Sequence, residues 1–178
     1  MTDTIEVLYD EATLASRNQE LANAIAEAGY KNLLVIAVLK GSFVFAADLL
    51  RSLYRAGVPL EVEFMSLSSY GSGTKSSGNV KVVRDIEVIV KDRDVLLIDD
   101  ILESGRTLAY AKNLLQERGA NRADIAVLLD KPGKRVADLD AEYVGFECPD
   151  KFVVGYGMDK AHSYREVPFV GYLEENDQ

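Results

Sequence analysis

The sequence predicts an α/β fold with a mainly parallel, twisted central sheet that is flanked by helices. Short apolar runs rich in β-branched residues, at residues 33–39 and 95–98, have the length and composition of interior parallel strands. They alternate with longer amphipathic segments typical of helices, and this alternation requires right-handed crossovers between parallel strands. In addition, 48% of the 178 residues are hydrophobic, which is enough to bury one core.

The first predicted elements are a helix and a buried strand. Asp10 is of the residue type that caps helices, and a helix from this point is expected to reach about Ala28. Gly29 then suits the C-terminal stop. Apolar residues lie along one stripe of this helix: Leu14, Leu21, Ile25 and Ala28. Residues 33–39 follow as the buried strand.

The next segment predicts a second helix and a hairpin around a polar loop. After Lys40-Gly41-Ser42 the helix is expected to extend to about Tyr54. Residues 61–69 alternate apolar with polar side chains, as a half-exposed strand does. Residues 71–78 (GSGTKSSG) contain no apolar side chain and predict a flexible loop, with a return strand through residues 79–83. Composition alone favours a simple connection, whereas a lid over an active site is the functional alternative.

Residues 95–108 (VLLIDDILESGRTL) are the most informative stretch of the chain. The strand at its start is expected to end before Asp99 and Asp100, whose carboxylates are costly to bury without a partner. Residues 103–107 then place hydroxyl groups, a glycine and a cation at the start of a helix over residues 107–118. Free N–H groups at a helix start attract anions. Carboxylates beside an anion site indicate a ligand with a phosphate and with either hydroxyl groups or a bound metal ion, such as a sugar phosphate.

Two further strands are predicted at residues 125–129 and 152–154. Because no linker or repeat is evident, residues 1–178 are expected to form one domain with a core at about 30–130. A small hood lobe is expected from the N-terminal segment and residues 131–178. Ligands of open parallel sheets bind at the carboxyl ends of the strands, so the site is expected at that edge.

Composition argues against several classes of function. The net charge of −9 disfavours a nucleic-acid or membrane surface, since both prefer a basic face. No apolar run approaches the roughly 18 residues that span a bilayer, and the N-terminus has no signal-peptide pattern, so a cytoplasmic location is expected. Cys148 is the only cysteine and is expected to pack in the interior. His162 is the only histidine, which excludes a multi-histidine metal site and favours a surface position.

At residues 95–108 the sequence resembles the phosphoribosyl pyrophosphate binding motif of type I phosphoribosyltransferases. Further segments occur in the order found in hypoxanthine-guanine phosphoribosyltransferases: Leu39-Lys40-Gly41, Ser69-Tyr70, Asp130-Lys131 and KFVVGYGMDKAHSYRE at residues 151–166. The resemblance covers about residues 33–173 and implies the type I phosphoribosyltransferase fold. Lys131 together with KFVVGYGMD indicates the 6-oxopurine branch of that superfamily.

The resemblance implies a magnesium-dependent enzyme of purine salvage. Such an enzyme transfers a 5-phosphoribosyl group from phosphoribosyl pyrophosphate to hypoxanthine or guanine and gives IMP or GMP and pyrophosphate. The residues implied to bind the donor are Lys40, Gly41, Ser69, Tyr70, Asp99, Asp100, Ser104, Gly105, Arg106, Thr107 and Arg165. The residues implied to bind the purine are Lys131, Phe152 and Val153. The residues implied to lie near magnesium are Asp99, Asp100 and Asp159. The implied catalytic residues are Glu103, Lys131 and Arg165.

Glu103 departs from the family pattern, which usually has aspartate at this position. By similarity it would accept the proton that the purine loses; the alternative is that the loop uses Glu103 mainly for positioning. Three alternatives remain open: a xanthine-preferring enzyme, a non-catalytic regulator of the same fold that binds nucleic acid, and a sugar-phosphate-binding module without catalysis. The third leaves Lys131 and residues 151–159 unexplained. The family also implies a homodimer or homotetramer.

Overall fold

The computed structural model describes residues 4–69 and 80–173. Its strands are β1 (Ile5–Tyr9), β2 (Leu33–Leu39), β3 (Leu60–Ser69), β4 (Val80–Arg84), β5 (Asp94–Leu102), β6 (Arg122–Asp130), β7 (Tyr143–Glu147), β8 (Val153–Val154) and β9 (Val170–Leu173). Its helices are α1 (Glu11–Glu27), α2 (Phe43–Arg55) and α3 (Arg106–Glu117), with a 3-10 turn at Pro132–Lys134.

The larger sheet has six strands in the order β4-β3-β2-β5-β6-β7. All neighbouring pairs are parallel except β3 and β4, which run antiparallel. The strand order reverses between β2 and β5, and open α/β sheets bind ligands in the crevice at such a reversal. The carboxyl ends of five strands therefore meet at one edge, with the end of β5 at its centre.

Successive side chains of the central strands face opposite sides of the sheet. One apolar layer joins α1 and α2 to one face, and its residues include Leu14, Ile25, Phe45, Leu49, Val35, Ala37, Leu96 and Ile98. The other joins α3 to the opposite face, and its residues include Leu108, Ala111, Leu115, Leu34, Ile36, Val95 and Leu97. The central strands are thus buried on both faces, as their nearly continuous apolar sequences predict.

A second, three-stranded antiparallel sheet is built from both ends of the chain. Its order is β1-β9-β8, so β8 is an edge strand. We propose that this sheet and the turns around it form the hood, and we use that name for it below. Within the segment expected for the hood, β7 extends the larger sheet instead, and α1 packs on α2.

The helices and strands β2, β3, β4, β6 and β8 are confirmed to within three residues of their predicted bounds. Asp10 caps α1 as expected, because its carboxylate accepts a 2.8 Å hydrogen bond from the Thr13 N–H. The expectation that the β5 strand ends at residue 98 is wrong. The strand continues to Leu102, since Ile101 and Leu102 still pair with β6 and Leu102 is buried.

Three strands, β1, β7 and β9, are absent from the prediction. Glycine interrupts two of them, and a strand glycine often marks a close approach of another backbone. A Cβ on Gly145 in β7 would lie 2.4 Å from the carbonyl oxygen of Leu128. A Cβ on Gly171 in β9 would lie 2.6 Å from the carbonyl oxygen of Glu6. Glycine is unfavourable inside a strand, so these two residues weaken the strand signal in the sequence. They are present because the tertiary packing requires them.

The predicted polar loop at residues 71–78 lies outside the described residues. The hairpin that flanks it is confirmed, since β4 returns antiparallel to β3. Over the described ranges, no helix is long and apolar enough to cross a membrane.

Candidate active site

Two clefts open side by side at the carboxyl edge of the larger sheet. The first has a volume of about 200 Å³, and its lining residues are Asp99, Ile101, Leu102, Glu103, Ser104, Gly105, Thr107 and Leu108. The second has a volume of about 410 Å³, and its lining residues are Asp100, Ile101, Glu103, Lys131, Lys134, Asp150, Lys151, Phe152, Val153, Met158 and Asp159. Ile101 and Glu103 belong to both linings, so the clefts share a wall.

The first cleft is formed by the turn from β5 into α3. Gly105 has a left-handed φ of +78° and precedes the first helical residue, a conformation that glycine adopts without strain. The Arg106 N–H lies 3.4 Å from the Ser104 hydroxyl oxygen. The remaining N–H groups of the first turn of α3, with the Ser104 and Thr107 hydroxyls beside them, provide donors for an anion. This cleft suits a phosphate group.

The turn of the first cleft rests on Arg135. The Arg135 Nε–H donates to the Glu103 carbonyl at 3.1 Å, and its guanidinium also pairs with Asp130. A Cβ on Gly105 would lie 3.1 Å from Arg135 Cδ, so the side chain passes directly under the glycine. Arg135 therefore fixes the path of the backbone around the first cleft.

Asp99 and Asp100 separate the two clefts at the end of β5. The Asp100 N–H donates to Asp99 Oδ1 at 2.9 Å, and the Ile101 N–H donates to Asp100 Oδ1 at 2.9 Å. Desolvation, followed by the neighbouring Asp100 carboxylate, raises the pKa of Asp99 well above its usual range. A Cβ on Gly41 would lie 1.9 Å from Asp100 Oδ2, so only glycine leaves room for this carboxylate.

The second cleft places a buried cation opposite an exposed aromatic ring. Lys131 is 8% exposed, and its ammonium donates to the Lys151 carbonyl at 2.7 Å. Phe152 is 60% exposed although it is aromatic, so its ring is available to a ligand. Val153 lies next to it on the edge strand β8, where backbone groups can bind the edge of a flat ring. This combination suits a planar heterocycle with a carbonyl group.

Glu103 occupies the wall between the clefts. Its Oε1 lies 3.9 Å from Lys131 Nζ and 3.6 Å from Lys134 Nζ. Asp150 also pairs with Lys134 at 2.8 Å and, as the main cause, raises the pKa of that lysine. Glu103 therefore lines both clefts, and its carboxylate lies close to two ammonium groups.

Asp159 and Arg165 form an ion pair at the hood side of the second cleft. Arg165 Nη2 lies 2.8 Å from Asp159 Oδ1, and Arg165 Nη1 donates to the Gly157 carbonyl at 2.7 Å. Gly157 in turn contacts the Gly41 turn, since a Cβ there would lie 2.4 Å from the Gly41 carbonyl oxygen. The hood thereby brings a carboxylate and a guanidinium close to the residues at the ends of β2 and β5.

Comparison with known proteins agrees with this geometry. The model of the phosphoribosyl transferase domain matches residues 5–161. The hypoxanthine-guanine phosphoribosyltransferase of Streptococcus agalactiae is 42% identical over 174 residues, which cover 97% of this chain and 95% of that protein. The hypoxanthine phosphoribosyltransferase of Salmonella typhimurium is 43% identical over 175 residues, 96% of each chain. A crystal structure of the Staphylococcus aureus hypoxanthine phosphoribosyltransferase superposes with a TM-score of 0.89 at 41% identity, and the match covers 95% of this chain and 91% of that one.

The chain belongs to the hypoxanthine-guanine phosphoribosyltransferase family. Most residues that the sequence analysis selected for this family meet at the two clefts. Those that line a cleft are Asp99, Asp100, Glu103, Ser104, Gly105, Thr107, Lys131, Phe152, Val153 and Asp159. Gly41 and Arg165 contact this set through Asp100 and Asp159.

Of the four selected residues that remain, the three that the structure describes line neither cleft. Lys40 is exposed and directly precedes Gly41, and Arg106 is the first residue of α3. Ser69 ends β3 at the same edge of the sheet, and Tyr70 lies outside the described residues.

The two residues that the sequence analysis set aside behave as expected. The His162 side chain is 87% exposed. Cys148 is buried and free, and burial raises the pKa of its thiol, which fits a packing role.

Several cleft residues of this phosphoribosyltransferase were missed by the sequence analysis: Ile101, Lys134, Asp150, Lys151 and Met158. Arg135, which supports the first cleft from outside, was missed as well. Lys134 and Arg135 follow the family segment Asp130-Lys131 within one short turn. Their positive charges next to a selected lysine were the available signal.

The carboxylates of the site fit a magnesium ion. In the described parts of the chain, no group of three or more His, Cys, Asp or Glu side chains could hold a metal ion. Asp100 and Asp159 nevertheless line the same cleft, and Asp99 lies on the other side of the shared wall. Magnesium is commonly held by one or two carboxylates together with substrate phosphates and water. The carboxylates that line the two clefts match that mode of binding.

Proposed function

We propose that this protein catalyses the magnesium-dependent transfer of a 5-phosphoribosyl group from phosphoribosyl pyrophosphate to hypoxanthine and guanine. The products are IMP or GMP and pyrophosphate, and the role is purine salvage. The observation that supports this most directly is the pair of joined clefts with Glu103 in their common wall. One cleft suits a phosphate, the other suits an oxopurine, and the anomeric carbon of a bound donor would lie between them.

The first cleft and its surroundings would bind the donor. Backbone N–H groups of residues 103–107 and the hydroxyls of Ser104 and Thr107 would surround the 5′-phosphate. Asp99 and Asp100 would bind the ribose hydroxyls, directly or through magnesium. Two cationic groups would stabilise the pyrophosphate: Lys40 in the turn before Gly41, and Arg165 beside Asp159. Ser69, the last residue of β3, would also contribute to donor binding.

The second cleft would bind the purine. The Lys131 ammonium would donate to the 6-oxygen, Phe152 would stack on the ring, and backbone groups of Val153 would bind its edge. A hydrogen-bond donor at this position selects 6-oxopurines over adenine. The 6-amino group of adenine is itself a hydrogen-bond donor and would face the Lys131 ammonium without an acceptor between them. The base specificity therefore depends on one buried cation.

Charge development during the reaction matches the placement of these groups. The bond between the anomeric carbon and pyrophosphate breaks as the purine nitrogen attacks, and the leaving oxygen takes the electron pair. Lys40 and Arg165 stabilise that negative charge. Glu103 accepts the proton that the imidazole ring of the purine loses, because it faces the cleft that holds the base.

Asp99 and Asp100 would approach one magnesium ion and Asp159 would lie by a second, and substrate phosphates and water would complete the binding. When bound, magnesium adds positive charge at the pyrophosphate and so favours its departure. We also propose that the protein acts in the cytoplasm as a homodimer or homotetramer, as the family implies.

A turnover assay tests the function. The protein is incubated with magnesium, phosphoribosyl pyrophosphate and one purine at a time, namely hypoxanthine, guanine, xanthine or adenine, and nucleotide formation is followed by absorbance. We expect turnover with hypoxanthine and guanine and none with adenine. A protein that converts no oxopurine is not an enzyme of this kind, and one that converts xanthine alone has a different substrate.

A further inference from the structure

The turn at residues 155–157 has an unusual backbone. Gly155, Tyr156 and Gly157 all have positive φ values, of +90°, +52° and +100°. Glycine adopts this region freely, whereas a tyrosine is strained in it. Strained residues persist where their surroundings hold them, and they occur preferentially at functional sites. We therefore expect a contact that holds Tyr156 in this conformation.

The side chain of Tyr156 is held between two helices. It is 5% exposed, and its hydroxyl accepts a 2.9 Å hydrogen bond from Asn18 Nδ2 and donates to Asp48 Oδ2. Asn18 is a buried residue of α1, and Asp48 belongs to α2. The other carboxylate oxygen of Asp48 pairs with Arg51. One hydroxyl thus ties the hood turn to both helices on one face of the larger sheet.

The same turn holds residues of the donor site. The Gly157 N–H donates to the Arg165 carbonyl at 3.0 Å, and its carbonyl accepts from Arg165 Nη1 at 2.7 Å. Gly157 also lies directly against the Gly41 carbonyl. A shift of the turn would therefore move Arg165, and with it Asp159, relative to the Gly41 turn that accommodates Asp100.

We propose that Tyr156 is a positioning residue for the donor. Its hydroxyl, held by Asn18 and Asp48, sets the distance between the Asp159–Arg165 pair of the hood and the carboxyl edge of the larger sheet. This inference rests on the proposed function.

The effect should be selective for the donor, because Lys131 is held independently. Its backbone N–H donates to the Leu102 carbonyl at 2.9 Å and its ammonium to the Lys151 carbonyl. Loss of the Tyr156 hydroxyl leaves both bonds in place, so purine binding should change little.

Tyr30 offers a matched control. Its hydroxyl donates to the Asp124 carboxylate at 2.6 Å, so it makes the same kind of bond as Tyr156 does with Asp48. Burial is the main cause of a raised pKa in both tyrosines. Tyr30 lies just before β2, at the sheet edge opposite the clefts. Tyr30→Phe therefore removes a comparable hydrogen bond far from the donor.

The test compares wild type, Tyr156→Phe and Tyr30→Phe by steady-state kinetics with magnesium and by urea unfolding. We expect both variants to lose similar stability. Only Tyr156→Phe should raise KM for phosphoribosyl pyrophosphate, by roughly tenfold or more, because an ångström-scale misplacement can cost up to about 10²-fold. Its KM for hypoxanthine should change by less than about twofold. An unchanged donor KM, an equal rise in Tyr30→Phe, or an equal rise for both substrates overturns the proposal.

Two further measurements separate this proposal from the assigned activity. Asp48→Leu removes the hydroxyl's acceptor from the α2 side and should reproduce the donor effect, which matters if Tyr156→Phe does not fold. A wild-type protein without turnover contradicts the proposed function. In that case, calorimetric titration with magnesium and pyrophosphate tests the positioning role of Tyr156 on its own. Weaker binding by Tyr156→Phe than by Tyr30→Phe supports the positioning role, and equal binding overturns it.

Discussion

At the wall between the clefts, Glu103 lies 3.9 Å from Lys131 Nζ and 3.6 Å from Lys134 Nζ. The lysine that would bind the purine oxygen is thus also close to the carboxylate that would take the purine proton. The longer side chain of glutamate, compared with the aspartate usual in the family, adds reach toward these lysines. One residue therefore links the two substrate sites.

Glu103→Gln should slow the chemical step by about 10²- to 10⁴-fold, the usual contribution of a general base. Donor affinity should change by less than about twofold, because the amide keeps the shape of the side chain. Single-turnover rates and donor titrations measure the two effects separately. Glu103→Asp is the control and should remain active, since it keeps the carboxylate. Equal rates for wild type and Glu103→Gln would remove this residue from the mechanism.

Asp99→Asn should stabilise the ligand-free protein at pH 7 while abolishing its activity. The pKa of Asp99 is raised in the folded state, so ionisation favours unfolding as the pH rises above the ordinary aspartate pKa. A gain of about 1 kcal/mol corresponds to about 2–4 °C in Tm for a protein of this size. Thermal unfolding at pH 7 and pH 4 checks this. The gain should shrink toward pH 4, where the unfolded-state carboxyl is roughly half protonated; a gain independent of pH would contradict the explanation.

Gly41→Ala should lower kcat/KM by about 10²-fold, because its Cβ would lie 1.9 Å from Asp100 Oδ2 and must displace that carboxylate. Gly133→Ala is the control, since a Cβ there meets nothing within 4 Å. Steady-state kinetics of both variants, with circular dichroism to verify folding, measures the difference. Similar activities in the two variants would mean that the Asp100 position is not critical.

At the scale of elements, local signals are sufficient for α1, β2 and α3 and for the position of most site residues. Helix α1 carries the cap Asp10, both α1 and α3 carry apolar stripes in their own sequences, and the parallel strands place their carboxyl ends together by topology. Strands β1, β7 and β9 have no such signal. The packing requires the glycines of β7 and β9 because distant backbones approach them, as Leu128 approaches Gly145. The supporting role of Arg135 also has no local signal in the sequence, because its partners are brought to it only by the tertiary structure.

Arg135→Met should lower the free energy of unfolding by about 1–3 kcal/mol, because it leaves the Asp130 carboxylate and the Glu103 carbonyl without their partner. It should also weaken donor binding, since the turn around the first cleft rests on this side chain. Arg118→Met is the control: it removes a more exposed pair with Asp85 and should cost about 1 kcal/mol or less. Urea unfolding of both variants compares the losses, and equal losses would contradict the supporting role of Arg135.

At the scale of the whole molecule, magnesium should matter for activity and not for folding. The described residues contain no cluster of three metal-ligating side chains, so the ion should bind together with the substrate phosphates. A chelator should therefore abolish turnover and leave Tm unchanged within about 1 °C. Magnesium with pyrophosphate should raise Tm, whereas either alone should have a smaller effect. A large drop in Tm on chelation would indicate a structural metal instead.

The pairing of β1 with β9 has a consequence for how the protein is made. The first cleft is lined by residues of β5, of α3 and of the turn between them, and all of these precede β9 along the chain. Strand β1 precedes them too, so it is synthesised long before its partner β9. The three-stranded sheet, which includes Val153, can form only after β9 has been synthesised. The part of the molecule that would recognise the purine is thus completed last, and a chain that stops short of β9 would leave it unfinished.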